Sequence, residues 1–241
     1  MIFRQLFDRE TCTYTYLLAD ETSKEAILID PVYEQVDRDT RLIEELGLSL
    51  LYLVDTHVHA DHITGSGVLR ERMGAQTVLS SGAGVDCADR NAHHGDQLSF
   101  GTLSAEIRHT PGHTDSCISI VVRESGHTRV LTGDALFVRG CGRTDFQQGN
   151  ASTLYASVHD QIFSLPDDTE VYPGHDYNGS LMSTVREEKV FNPRLKLSIS
   201  ESQFMEIMKN LNLPYPKRIK EALPANMACG KPPLENTSTG V

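Results

Sequence analysis

Three histidines and one aspartate stand within six positions of this chain, in the segment Thr56-His57-Val58-His59-Ala60-Asp61-His62. The segment directly follows a continuous apolar run at residues 50–54, which is typical of a strand buried on both faces. In extended backbone His57 and His59 share one side of the chain, and a following turn can bring Asp61 and His62 round to them. Imidazole and carboxylate groups are common metal ligands, so the segment predicts a metal site at a strand end.

Three more residues of ligand type follow strand-like runs, and each lies in or beside a turn that contains glycine. They are His113 in Thr110-Pro111-Gly112-His113-Thr114, Asp134 in Leu131-Thr132-Gly133-Asp134, and His175 in Tyr172-Pro173-Gly174-His175-Asp176. Glycine lets the backbone turn sharply and approach other groups closely. Four separate loops that supply histidine and aspartate are what a site at the mouth of a two-sheet fold requires.

Strands come in runs separated by helices in both halves of the chain. The predicted strands are residues 11–18, 26–30, 50–54, 117–122 and 129–132, the last two as a hairpin. The predicted helices contain Val36, Ile43 and Leu46 before Gly47; Leu154, Tyr155, Val158 and Ile162 after an Asn150 N-cap; and Phe204, Ile207, Met208 and Leu211 after a Ser200–Gln203 capping box. Two facing sheets covered outside by helices would account for the doubly buried strands. We expect one domain over residues 1–230 and a poorly ordered tail at residues 231–241.

The charge and the apolar pattern exclude several classes of partner. A formal net charge of −11 disfavours binding to phosphate backbones, so we expect no nucleic-acid partner. The charged N-terminal segment is neither a signal peptide nor a membrane span, and no other stretch approaches the roughly 18 apolar residues that a span needs. We therefore expect a cytoplasmic protein with no membrane association. Whether it forms a homodimer is left open by the sequence.

The five cysteines include no C-x-x-C pair, so reduced thiols are expected. Cys117 and Cys141 have no base in an obvious triad, and we interpret them as buried, structural thiols. Histidines outside the motifs are expected at the surface or in packing. These are His93, His94, His109, His127 and His159.

In this order and spacing, H-x-H-x-D-H, P-G-H, G-D and a late G-H resemble the metallo-β-lactamase superfamily over roughly residues 10–180. The resemblance implies an α+β fold, an αββα sandwich of two mixed sheets flanked by helices, with the metal site at one edge. The superfamily includes thioester hydrolases, β-lactamases, nucleases, flavodiiron proteins and sulfur dioxygenases. The flavodiiron pattern has glutamate where this chain has His59, which disfavours that branch.

Further segments resemble the persulfide dioxygenases, which are ETHE1-like sulfur dioxygenases. They are Arg139-Gly140-Cys141-Gly142-Arg143-Thr144-Asp145-Phe146-Gln147, Tyr172-Pro173-Gly174-His175-Asp176-Tyr177, Asn192-Pro193-Arg194 and Pro224-Ala225-Asn226-Met227-Ala228-Cys229-Gly230. Glyoxalase II shares the G-C-G-R stretch but usually does not continue as T-D-F-Q. The resemblance therefore favours the dioxygenase branch.

The family resemblance implies a catalytic site with one Fe(II) per chain, held by His57, His113 and Asp134. Two histidines and one carboxylate leave coordination positions open for substrate and O2. The other motif residues would then surround the iron or belong to an unused second metal position. These are His59, Asp61, His62 and His175.

The implied reaction is the oxidation of glutathione persulfide by O2 and water to glutathione and sulfite. Arg143 is the expected substrate anchor, because a guanidinium can bind a carboxylate of glutathione through two parallel hydrogen bonds. Tyr177 is expected to contact the substrate, with a packed tyrosine as the equal alternative.

Two other functions stay open at this point. A zinc hydrolase of glutathione thioesters, similar to glyoxalase II, would fill both metal positions and attack a carbonyl with a bridging hydroxide. A non-catalytic protein would use the metal only to stabilise its fold. The surplus of ligands in glycine-rich loops disfavours the latter, because structural sites normally close with four ligands.

Overall fold

A computed structural model describes residues 1–230, in which twelve strands form two six-stranded sheets. The first sheet holds its strands in chain order: β1 Ile2–Phe7, β2 Tyr14–Ala19, β3 Glu25–Ile29, β4 Ser49–Val54, β5 Gln76–Ser80 and β6 Arg90–Ala92. The second has the order β12-β11-β10-β9-β8-β7, with β7 Gln97–Phe100, β8 Leu103–His109, β9 Ile118–Glu124, β10 His127–Leu131, β11 Glu170–Tyr172 and β12 Ser183–Thr184. The tail expected to be poorly ordered, residues 231–241, lies outside the described residues.

Both sheets are mixed. In the first, β1, β2 and β3 are antiparallel neighbours, whereas β3, β4, β5 and β6 run parallel. In the second, β7 to β10 are antiparallel neighbours, β11 is parallel to β10, and β12 is antiparallel to β11. The hairpin predicted from residues 117–122 and 129–132 is confirmed as β9 and β10.

Six α-helices accompany the sheets in the described part of the chain. They are α1 Val36–Glu45, α2 Ser66–Met73, α3 Ala151–Ser157, α4 Val185–Phe191, α5 Glu201–Lys209 and α6 Ile219–Met227. The predicted signals at helix ends are confirmed: Gly47 follows α1 with a φ of 63°, Asn150 caps α3, and Ser200 with Gln203 forms the capping box of α5. None of the helices within residues 1–230 has the length and apolar character needed to cross a bilayer.

The apolar side chains form three layers, because successive residues of a strand point to opposite faces of its sheet. Between the sheets, Leu18 and Ile27 of the first pack in one cluster with Ile120 of the second. Outside the first sheet, Leu17 and Leu28 pack with Ile43 of α1 and Leu69 of α2. Outside the second, Val121 and Val130 pack with Leu154 of α3 and Phe204 of α5. The chain therefore folds as the predicted αββα sandwich.

The loops with ligand-type residues meet at one edge of this sandwich. Strands β8 and β10 both run antiparallel to β9, and β11 runs parallel to β10, so these three strands end at the same edge. The loop after β4 of the first sheet joins them, because Ile118 donates its backbone N–H to Thr56 O at 2.9 Å. On the other side, the hydroxyl of Tyr16 donates to Pro173 O at 2.6 Å.

Candidate metal centre

A buried carboxylate holds the loop after β4 from beneath. Asp30 Oδ1 accepts the backbone N–H of Thr56 at 2.7 Å, and Asp30 Oδ2 accepts the Thr56 hydroxyl at 2.9 Å. The Thr56 hydroxyl lies 3.0 Å from His57 Nδ1. Because this hydroxyl donates to Asp30, it accepts from His57 Nδ1, and His57 Nε2 keeps a lone pair for a metal.

His113 is oriented by a backbone carbonyl. Its Nδ1 lies 2.7 Å from Arg143 O, and a carbonyl can only accept, so Nδ1 carries the proton and Nε2 keeps the lone pair. The turn before it requires glycine: Gly112 has a φ of 132°, and a Cβ there would lie 2.3 Å from Leu154 N. The P-G-H sequence therefore aims an imidazole with a defined tautomer.

Asp134 divides its two oxygens between two histidines. Oδ2 lies 3.5 Å from His113 Nε2, and Oδ1 lies 2.7 Å from His175 Nδ1. The candidate ligand atoms of His57, His113 and Asp134 all lie within 4.8 Å of one another.

The electrostatics of this group suit a cation. Burial favours a protonated Asp134, but the neighbouring histidines, His175 first, hold the pKa of its carboxyl well below the usual value. Burial also lowers the pKa of His57 well below its usual value, so the ring is neutral. A neutral imidazole and an ionised carboxylate are the forms that bind a divalent ion.

His175 lies between two carboxylates. Its Nδ1 contacts Asp134, and its Nε2 lies 3.0 Å from Asp61 Oδ2. Burial alone would lower the pKa of His175, but Asp134 and Asp61 outweigh it and raise the pKa well above its usual value. Asp61 Oδ2 also lies 2.9 Å from His62 Nδ1. Asp61 is therefore shared between two imidazoles.

A second group of ligand type adjoins the first. His59, Asp61 and His62 offer ligand atoms within 4.8 Å of one another, and His59 does the same with Asp30 and Asp55. His59 Nδ1 and His62 Nε2 are buried and have no hydrogen-bond partner among the described residues. An unpaired buried polar atom costs about 1–3 kcal/mol, so both nitrogens suit a ligand or a water molecule.

A cavity of about 550 Å³ adjoins both groups through Asp61, His113 and Asp134. Its lining also includes His175 and the segment of residues 213–217. Tyr177 also lines it, with 69% of the residue exposed and its ring parallel to that of His175 at a centroid distance of 6.1 Å. Such a volume is in the range of small-molecule sites.

Arg143 lines the cavity, but its guanidinium already has partners. Nε and Nη2 donate to the two carboxylate oxygens of Asp145 at 2.6 and 2.8 Å, and Nη1 donates to Pro214 O at 2.8 Å. The same guanidinium lies 4.4 Å from the centroid of the Phe146 ring. The guanidinium that the sequence predicts to bind substrate is therefore occupied by Asp145. A substrate carboxylate would have to displace Asp145.

The cysteines confirm one prediction and contradict another. Cys117 and Cys141 are buried, and burial raises the pKa of their thiols to about 12 and about 11, which is consistent with inert structural groups. The expectation of reduced thiols is wrong for Cys87 and Cys229, which form a disulfide across 142 residues of sequence. No C-x-x-C spacing marks this pair, so only the fold could reveal it.

The remaining histidines lie outside the metal group, as predicted. His93, His94 and His127 are exposed, His109 contacts Ser80, and His159 stacks on Tyr155. A residue that the sequence analysis did not assign a role is Asn226, whose amide donates to His59 O and His62 O. It lies in the P-A-N-M-A-C-G segment, so the family resemblance pointed to its neighbourhood without its function.

A family model described as the metallo-beta-lactamase superfamily matches residues 12–175, and the chain belongs to this superfamily. The mitochondrial persulfide dioxygenase ETHE1 of Homo sapiens is 55% identical over 231 residues, which cover 95% of this chain and 89% of that protein. The crystal structure of ETHE1 from Myxococcus xanthus superposes with a TM-score of 0.91 at 56% identity, covering 95% of this chain and 100% of that one. Within the superfamily, the chain belongs to the family of these ETHE1 proteins.

The hydrolase branch is more distant. Glyoxylase B2 of Dictyostelium discoideum is 25% identical over 94% of this chain and 90% of that protein. The name of the human relative assigns that protein to mitochondria, whereas the cytoplasmic location of this chain stays a prediction.

Proposed function

We propose that this chain is a persulfide dioxygenase that oxidises glutathione persulfide with O2 and water to glutathione and sulfite, using one Fe(II) held by His57, His113 and Asp134. The observation that carries the proposal is the group of two imidazoles and one carboxylate, of which His113 and Asp134 line a cavity of about 550 Å³. Ferrous iron bound there would supply open positions for a sulfur ligand and O2, together with the redox activity that zinc lacks.

Hydrogen bonds within the chain engage Asp61 of the second group of candidate ligands, which supports the proposal of one ion at the first group. Asp61 Oδ2 is hydrogen-bonded to both His62 Nδ1 and His175 Nε2, and His175 Nδ1 also holds Asp134 Oδ1. This leaves Asp134 Oδ2 directed toward the side of His113, where the proposed ion would lie. The contacts from Thr56 and Arg143 O fix the rings of His57 and His113, so the three ligands are oriented before the ion binds.

The cavity wall would orient the thiol carrier. We propose that one carboxylate of glutathione takes the place of Asp145 on the Arg143 fork, and that Tyr177 contacts the substrate beside His175. Both residues line the cavity together with His113 and Asp134, so a molecule bound to them reaches the proposed iron. Holding the persulfide sulfur near the ion lowers the entropic part of the barrier.

An oxygen electrode and a sulfite assay test the proposal on iron-loaded protein supplied with glutathione persulfide. We expect O2 uptake and sulfite formation in equal amounts, and negligible cleavage of S-lactoylglutathione by the same sample. Zinc-substituted protein is the matched control and should consume no O2. Rapid thioester cleavage without O2 uptake would instead identify a glyoxalase II-like hydrolase.

A further inference from the structure

The Cys87–Cys229 disulfide joins two parts of the fold that lie beside the metal-ligand loop. Cys87 belongs to the segment between β5 and β6, and Cys229 to the turn after α6. Cys229 packs in one apolar cluster with Val58 of the metal-ligand loop and with Leu79 and Val85. A covalent bond at this place therefore holds the end of α6 against the loop that carries the candidate ligands.

Asn226, one turn before Cys229, contacts the metal-ligand loop directly. Its Nδ2 donates to His59 O and to His62 O, both at 2.8 Å, and its Oδ1 accepts the backbone N–H of Thr64 at 2.8 Å. The residue is 3% exposed, so these bonds are shielded from water. The Asn226 side chain thus satisfies three backbone groups of the loop. If it moved away, these groups would be left unpaired.

The turn that contains Cys229 fits tightly against α2. A Cβ added at Gly67 of α2 would lie 2.2 Å from Cys229 O, so the two backbones are in close contact. Cys229 itself has a φ of 56°, a conformation that non-glycine residues rarely adopt. Such a turn persists only where its surroundings hold it, and the disulfide is one of those restraints.

We propose that Cys87 and Cys229 are a reversible thiol–disulfide modification site, and that its redox state sets the rigidity of the metal-ligand loop through Asn226. The reactant class is a low-molecular-weight disulfide such as oxidised glutathione. The metal-retention part of this inference rests on the proposed metal site, whereas the redox site and the loop rigidity do not.

The order of attack follows from burial. Cys87 is half-buried and Cys229 is 4% exposed, so the Cys87 thiolate attacks first. A bond forms between the sulfur of Cys87 and one glutathione sulfur, the S–S bond of oxidised glutathione breaks, and one glutathione thiolate leaves and takes a proton. The Cys229 thiolate then attacks the Cys87 sulfur, and the second glutathione leaves. Two protein thiols are oxidised while one disulfide is reduced to two thiols.

The test compares the disulfide and dithiol forms of the metal-loaded protein. Buffers of varied ratio of oxidised to reduced glutathione set the state, and alkylation with peptide mass spectrometry measures it. We expect Cys87 and Cys229 to change reversibly between the disulfide and the dithiol state as this ratio varies. We expect faster hydrogen exchange in residues 57–64 of the dithiol form, and several-fold faster loss of metal to a chelator. We also expect the melting temperature of the dithiol form to be about 5–10 °C lower than that of the disulfide form, because the bond restrains a long loop of the unfolded chain.

Two variants make the test specific. Cys87→Ser should behave as the dithiol form and should not respond to the glutathione ratio. Cys12→Ser, which removes a cysteine that is free in this structure, should leave the transition unchanged. The redox site is wrong if the pair stays reduced at every ratio. The coupling through Asn226 is wrong if residues 57–64 exchange equally fast in both forms, whatever the protein's activity proves to be.

Discussion

At the scale of single residues, Asp134 links two histidines of the candidate centre, because its two oxygens face His113 and His175. We expect Asp134→Ala to remove both metal and activity, since the only carboxylate of the three-ligand group is lost. Metal analysis after iron-supplemented expression measures the first effect and O2 uptake the second. His127→Ala, at an exposed histidine on β10, is the control and should keep its iron. Full iron occupancy in Asp134→Ala would remove Asp134 from the ligand set.

Arg143 offers a separate test of substrate binding. We expect Arg143→Ala to keep its iron but to lose on the order of a hundredfold in kcat/KM for glutathione persulfide, because a charge-assisted fork is lost. A persulfide without carboxylates should be affected much less. Arg123→Ala, which removes a half-exposed arginine paired with Glu106, is the matched control. An unchanged kcat/KM in Arg143→Ala would mean that another group anchors the substrate.

At the scale of elements, the turns that carry the candidate ligands require glycine, because an added Cβ would clash with neighbouring atoms. A Cβ at Gly174 would lie 2.8 Å from Asp134 Oδ1, so Gly174→Ala must displace the carboxylate or the turn after β11. We expect a folded protein whose iron affinity falls at least tenfold, measured by competition with a chelator. Gly82→Ala is the control, because the nearest atom to its added Cβ lies at 3.7 Å. Equal iron affinities in the two variants would contradict this account of the turn.

Helix α1 contains a carboxyl group that makes stability depend on pH. Burial raises the pKa of Asp39 to about 6, although Arg38 opposes the shift. The folded protein therefore holds this proton more tightly than the unfolded chain, and the contribution favours folding at low pH and is lost as the pH rises from about 4 through about 6.

We compare the free energy of unfolding of Asp39→Asn, which cannot ionise, with that of the natural chain. We expect this difference to shift in favour of the variant by about 1–3 kcal/mol when the pH rises from 5 to 8. Urea unfolding of both proteins at the two pH values measures the gain. Asp37→Asn, an exposed carboxylate of the same helix, should show no such change. A difference between Asp39→Asn and the natural chain that does not vary with pH would mean that Asp39 ionises freely.

The elements show how far the sequence could predict this protein. Local signals sufficed for the ends of α1, α3 and α5 and for the hairpin of β9 and β10, because caps and turns depend on neighbouring residues. The motifs also named the residues that the fold brings together at one edge. The Arg143–Asp145 pair could not be deduced, because either carboxylate, of substrate or of protein, satisfies a guanidinium. Asn226 and the disulfide depend on contacts across more than 140 residues, which no local pattern records.

At the scale of the whole molecule, several cationic side chains line the cavity of a protein that is acidic overall. The chain has a net charge of −11, yet Arg139, Arg143, Arg194 and Lys217 all line the cavity. Arg139 is paired with Glu187 and Glu188, and Arg143 with Asp145. These cations share the cavity lining with Asp61, Asp134 and Asp176, and they would offer an anionic thiol carrier positive charge beside the proposed iron in a protein that is acidic as a whole.

The arrangement of the candidate ligands also has a topological consequence. His57 extends from a strand of the first sheet, whereas His113 and Asp134 extend from strands of the second. An ion bound to all three would cross-link the two halves of the sandwich and close loops of 56 and 21 residues (113 − 57 and 134 − 113). Removing it with a chelator should speed hydrogen exchange at the carboxyl ends of β4, β8 and β10 and leave the opposite ends of those strands unchanged. Equal acceleration at both ends would mean that the ion stabilises the fold as a whole and not this edge alone.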